Sequence, residues 1–190
     1  MKNKEIDSSF LDQAIQFAVQ SHAGTARRGK DLPYIVHPLE AMAIAATMTS
    51  DQEILAAAVL HDVVEDTDVT LDEIRARFGD RVARLVETES DRRVDGMDWR
   101  TRKEESLRRL REASRDEKIV ALGDKLSNMR AIARDYTTKG EAFWNLFHIK
   151  EKAVHAWRYH ALLDAFSDLS DTYACQEFKY LVDLIFPIEP

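Results

Sequence analysis

At 190 residues the chain is long enough to bury a sizeable core as one domain, and a hydrophobic fraction of 45% beside a charged fraction of 32% is that of a soluble globular protein. A net charge of −7 argues against a general binder of nucleic acid or of an anionic membrane. The lone Cys175 allows no internal disulfide and fits a reducing cytoplasm, and no apolar run nears the roughly 18 residues of a membrane helix. The opening Met1-Lys-Asn-Lys-Glu5 lacks the apolar core of a signal peptide, so a cytoplasmic location is the expectation.

Ser8 or Ser9 caps a first helix with Phe10, Leu11, Ala14, Ile15, Ala18 and Val19 on its apolar face, ending near Ser21–Gly24. A basic loop, Thr25 to Pro33, carries Arg27, Arg28 and Lys30. Pro33 disfavours helix before it, so Tyr34–His37 is predicted extended, and Pro38 opens a second helix, Leu39 to about Met48. Ser50-Asp-Gln-Glu53 is a capping box for a third helix, whose apolar body Ile54–Leu60 runs into His61-Asp62-Val63-Val64-Glu65-Asp66. Thr70–Glu73 caps a short helix that Gly79 closes, and another follows from Asp80 through Val86. Asp91–Asp98 reads as a mobile loop, and Trp99–Ala113 as a helix crowded with charge. A longer helix spans about Glu117–Ala133, and two more, about Glu141–Leu169 and Asp171–Phe186, carry aromatic stripes that fill the core. Without strand signals, repeats or linkers, the expectation is an all-α, single-domain helical bundle over residues 1–190, its motifs within about 10–135 and its C-terminal helices within about 141–186.

The stretch 61–66 is out of place at the end of so apolar a helix, because buried charge must be paired, hydrogen-bonded or metal-bound. Residues four apart on a helix nearly eclipse, so His61 and Asp62 can both reach one ion off its edge, with Glu65 and Asp66 one turn on; the other reading is a solvated helix end with His61 capping a carbonyl. His37, between two prolines, is either a hydrogen-bonded spacer or a ligand. Asp124, amid Val120, Leu122 and Leu126, either bridges to Lys125 or an arginine, or joins the same site; Asn128 shares its face one turn on. Together His37, His61, Asp62 and Asp124 make a mixed nitrogen and oxygen set that suits Mn²⁺, Fe²⁺ or Zn²⁺ and tilts towards Mn²⁺; a structural zinc site is disfavoured with one cysteine.

The order His37 … His61-Asp62 … Asp124 resembles the HD superfamily of metal-dependent phosphohydrolases. The flanking His22-Ala-Gly-Thr-Ala-Arg27-Arg28, Pro33-Tyr34-Ile-Val-His37-Pro38, Phe78-Gly79 and Asp124-Lys-Leu-Ser-Asn128 resemble its alarmone hydrolase branch. That branch contains the hydrolase domains of Rel/SpoT-type enzymes and the stand-alone small alarmone hydrolases. The resemblance implies an HD-type helical bundle with His37, His61, Asp62 and Asp124 as ligands of one ion, usually Mn²⁺. It implies that Glu65 and Asp66 position or deprotonate the attacking water, that Arg27 lies against the guanine base and that Asn128 lies near the ribose. Arg28 stands where the family commonly has lysine. The implied reaction removes the 3′-diphosphate of ppGpp or pppGpp, giving pyrophosphate plus GDP or GTP. No synthetase domain follows in a chain of 190 residues, so a stand-alone hydrolase acting on a small nucleotide is expected rather than a bifunctional enzyme.

In a net acidic protein, recognition of a polyphosphate must be local. The basic loop Arg27–Lys30 is one source, and the helix from Arg100 to Arg111 is the other. Most of that helix, Arg109 included, reads as a solvated face, with Arg102 and Lys103 chosen as the phosphate contacts. Lys150, Lys152 and Tyr159 are further candidates. The rival readings are an HD-type nucleotidase or nucleoside-triphosphate phosphohydrolase, and a non-catalytic nucleotide sensor.

Overall fold

The structure, a computed structural model, describes residues 6–27, 29–89 and 98–188. It is all-α: α1 (Ser9–Ser21), α2 (Val36–Ala45), α3 (Gln52–Leu60), α4 (Val63–Asp66), α5 (Leu71–Glu89), α6 (Trp99–Glu112), α7 (Arg115–Lys139), α8 (Lys152–Ala165) and α9 (Tyr173–Ile185). Single 3₁₀ segments, Gly140–Leu146 and Ser167–Leu169, flank α8. Among the described residues there is no strand, only an isolated bridge between Ala26 and Pro33 that pins the loop after α1. None of these helices is long and apolar enough to cross a membrane.

α7 is the axis of the bundle, with α2 along one side and α9 along another. α3 is wrapped by α1, α2, α5 and α7, which is why every residue from Ile54 to Leu60 is buried. Gly123 permits a close approach of α7 to α2: a Cβ there would stand 2.6 Å from the Ala41 carbonyl oxygen. That contact brings the α2 residue His37 against the α7 residue Asp124. α6 packs chiefly on α8 rather than along α7, and a cleft opens between α6 and α7.

Several local expectations change. Tyr34–His37 is not extended: Ile35 is already helical and α2 begins at Val36, with Pro38 in the first turn rather than opening the helix. The first turn's N–H groups have no intrahelical acceptor, so proline is tolerated there, and burial of His37 outweighs the local preference before proline. Asp51, not Ser50, caps α3, accepting from the Glu53 N–H. Ser8 occupies the cap position of α1, but its hydroxyl donates to Asp12 instead. Gly79, at φ +88°, breaks the span Leu71–Glu89 where a glycine stop was read. The loop at 91–98 lies outside the described residues except for Asp98, which caps α6 through the Thr101 N–H. α7 starts earlier than predicted, at a Ser114–Glu117 capping box, and runs on to Lys139. The predicted helix Glu141–Leu169 is three pieces, 3₁₀, α8 and 3₁₀, and its Phe143, Leu162 and Phe166 are buried in the core as expected.

Candidate active site

α3 stops at Leu60, and His61-Asp62 form a helical-φ/ψ turn into the four-residue α4, so 61–66 is not one continuous helix. The turn aims His61 and Asp62 at α2 and α7. His61 Nε2 lies 2.9 Å from Asp62 Oδ2 and 3.7 Å from Asp124 Oδ1; His37 Nε2 lies 3.4 Å and 3.1 Å from the same two oxygens. The donor atoms of His37, His61 and Asp62 all fall within 4.8 Å of one another. Asp124 is outside that tightest group but approaches both imidazoles from α7.

The second ring nitrogens fix what the first ones offer. His61 Nδ1 donates to the Ala58 carbonyl at 2.8 Å, leaving Nε2 facing the carboxylates. That Nε2 is buried and has no hydrogen-bond partner of good geometry among the described residues, although Asp62 Oδ2 is close by. His37 Nδ1 meets Ser127 Oγ at 2.8 Å, and Ser127 gives its one proton to Glu40 Oε2, also at 2.8 Å. The serine must therefore accept from His37, so His37 Nε2 also turns a lone pair to the centre. Arg130 anchors this relay by bridging Glu40 and Glu177.

The carboxylates are held just as firmly. Tyr34 donates to Asp62 Oδ2 at 2.5 Å; burial, then the Asp62 charge, push the phenol far up, so it stays a donor. Lys125 and Asn128 both donate to Asp124, so the predicted bridge to Lys125 and the approach to the imidazoles coexist on its two oxygens. Burial raises the Asp62 and Asp124 carboxyls, but His61 and His37 around Asp62, and Lys125 beside Asp124, hold both well below the usual range. Burial pushes His61 down, and the Asp62 charge overcomes it and lifts the ring to about 10. Two imidazoles turned by their Nδ1 partners so that Nε2 meets two ionised carboxylates make a cation-binding arrangement once His61 gives up its proton, and the donor set fits a divalent transition ion.

This centre lies in a cleft of about 430 Å³, large enough for a nucleotide. Glu65, Asp66, Lys103 and Asn128 line it. Arg27 does not, but its Nη2 donates to Asn128 Oδ1 at 2.9 Å from the rim. Arg28 lies outside the described residues, Lys30 is paired with Asp135 at 3.1 Å, and Arg102 is not among the lining residues. Lys152 is engaged with Tyr136 and Glu141 away from the cleft, and Tyr159 is buried in the core. Arg109, read from the sequence as solvated face, lines the cleft, as do Glu89 and Arg158, which the sequence reading did not single out. Glu89 is raised by burial despite Lys125 at 3.2 Å. Its only sequence signal was a carboxylate on the buried side of α5.

A family model described as HD domain matches residues 14–146. The chain is 35% identical over 125 residues to a guanosine-3′,5′-bis(diphosphate) 3′-pyrophosphohydrolase of Aquifex aeolicus, covering 64% of this chain and 18% of that protein. A protein of the same name from Vibrio cholerae is 39% identical over 128 residues, with the same two coverages. The chain thus spans less than a fifth of the length of these curated relatives, 18%. Among solved structures, one described as a metazoan ortholog of SpoT that hydrolyses ppGpp superposes with a TM-score of 0.74 at 25% identity, over 96% of this chain and 97% of that one. Protein lmo0812 of Listeria monocytogenes gives 0.72 at 28% identity, over 80% and 99%.

Proposed function

The chain belongs to the HD domain family, and from that premise we propose that it hydrolyses guanosine alarmones, converting ppGpp or pppGpp to GDP or GTP plus pyrophosphate. The observation that carries this reading is the convergence of His37, His61, Asp62 and Asp124 beside a nucleotide-sized cleft that Lys103, Arg109 and Arg158 also line. The names of the relatives, and the activity stated for the metazoan structure, point to the same substrate.

In this reading His37, His61, Asp62 and Asp124 hold one divalent ion, and the mixed nitrogen and oxygen set favours Mn²⁺. When bound, such an ion supplies a Lewis acid for a phosphoryl oxygen and makes water more acidic. Glu65, on the cleft wall, takes a proton from the attacking water, and Asp66 orients it. The water oxygen bonds to the phosphorus attached to ribose O3′, the P–O3′ bond breaks, and O3′ leaves as a hydroxyl, taking up the proton that Glu65 removed from the water. Arg27 stacks on the base, fixed by its bond to Asn128, which faces the ribose. Lys103 and its cationic neighbours neutralise the phosphates. The setting is the cytoplasm, with no nucleic-acid or membrane partner.

The test is pyrophosphate release from ppGpp, measured beside orthophosphate release from GMP and GTP, after chelation and readdition of Mn²⁺, Zn²⁺ or Mg²⁺. Pyrophosphate from ppGpp, restored best by Mn²⁺, is expected. Orthophosphate from the ordinary nucleotides alone would make the protein a nucleotidase, and binding without turnover would make it a sensor.

A further inference from the structure

We propose that Arg109, with Ser106 one turn before it on α6, forms a subsite for the outer phosphate of the 3′-diphosphate, and so selects a diphosphate over a single phosphate at the metal centre. The inference rests on the hydrolase reading above and deepens it.

The direction of the cleft places this subsite. Along α7, Asn128 lies one turn beyond Asp124 and is tied to Arg27, the nucleoside end. Ala121 lines the cleft on the opposite side of Asp124, about 10 Å from Asn128 along the helix axis. On that side the cleft is closed by Leu110 and Thr88, and Arg109 stands in the last turn of α6. A nucleoside at Arg27–Asn128 with its 3′ phosphorus at the metal centre directs the next phosphate towards Ala121, Leu110 and Arg109.

Of the α6 arginines Arg109 is the one that lines the cleft; Arg102, whose Nε is likewise buried without a hydrogen-bond partner among the described residues, does not. Arg100 is paired with Glu104 and stacked 3.3 Å over Trp157, and Arg108 is paired with Glu105 and Glu112. The Arg109 Nε is buried without a hydrogen-bond partner among the described residues. A buried N–H lacking an acceptor is costly, and a phosphate oxygen would satisfy it with the planar, forked geometry a guanidinium prefers. Competing groups at this end are already engaged: Thr88 Oγ1 bonds Glu117 and the Arg84 carbonyl, and Glu89 is paired with Lys125. Ser106 lines the cleft beside Arg109 and supplies a second donor.

Calorimetry of the Mn²⁺-loaded protein with inorganic pyrophosphate and with orthophosphate tests the subsite. Arg109→Ala should weaken pyrophosphate binding by about 10- to 100-fold, the worth of a charged hydrogen bond, with orthophosphate changed by no more than about twofold. It should also lower kcat/KM for ppGpp far more than for guanosine 5′-diphosphate 3′-monophosphate. Arg109→Lys should recover part of the loss, and Arg108→Ala, on the exposed face, should change neither. Equal losses for pyrophosphate and orthophosphate, or no loss for pyrophosphate, would overturn the subsite. A parent protein that releases no pyrophosphate from ppGpp would remove the hydrolase reading instead, while the binding comparison would still decide the role of Arg109.

Discussion

Ser127 has one proton and spends it on Glu40, and that choice fixes the tautomer of His37. Ser127→Ala removes the acceptor that holds Nδ1–H, so Nε2 no longer presents its lone pair reliably. Mn²⁺ affinity should fall by about 10- to 100-fold, as is usual when a partner behind a metal ligand is lost, and a direct metal titration reads this. An unchanged affinity would show that the ring is oriented by packing alone. Glu65 poses a different question, since it lines the cleft but is not among the convergent donor atoms. Glu65→Gln keeps its shape and removes its basicity, so kcat should drop by roughly 10²–10⁴ with metal content at the parent level. Asp62→Asn, by contrast, should lose metal first and activity as a consequence. Glu65→Gln protein isolated without metal would make Glu65 a ligand; metal retained at full rate would shift the base to Asp66.

At the scale of elements, the site depends on how closely α2 and α7 approach. Gly123→Ala would put a methyl 2.6 Å from a backbone oxygen of α2, which cannot rotate away as a side chain could. The helices would have to part, at about 1–3 kcal/mol, the usual cost of overpacking. Because His37 rides on one helix and Asp124 on the other, metal affinity should fall together with the denaturant midpoint. Parental values for both would mean that the crossing has slack. The same crossing explains why periodicity misread α2: its hydrophobic residues and its proline pointed to a later start, whereas burial of His37 draws the helix back to Val36. The Ser114–Glu117 box was written in the sequence but became decisive only once α6 and α7 were seen to meet there.

For the molecule as a whole, the candidate ligands come from α2, the α3–α4 turn and α7, so a bound ion cross-links the bundle. Chelation should lower the melting temperature, and at an ion concentration 100-fold above its dissociation constant the stabilisation is about 2.7 kcal/mol. The pH dependence of the metal-free form has a definite sign. His61 titrates at about 10 when folded against 6.5 when free, so its contribution is full below about pH 6.5, declines above it and is gone once the pH passes about 10. Melting curves of the metal-free protein should therefore lose stability over that window, while the loaded protein, whose His61 has given up its proton, should not share that loss. Parallel pH profiles would mean that His61 is not where the ion binds. The sequence alone determined that the chain is helical, because apolar residues recur at helical spacing, and it marked His37, His61, Asp62 and Asp124 as polar groups in apolar or conformationally restricted surroundings, which the family resemblance implies to be one ligand set. Only the tertiary structure decided that Tyr34, Ser127 and Glu40 hold those residues in place, and that the part-buried Arg109 lines the cleft. The physical reason is that helical periodicity separates buried from exposed faces within one helix, whereas a cleft is made by the angle between two. α6 turns to pack on α8, and that angle has no signature in the spacing of its own residues.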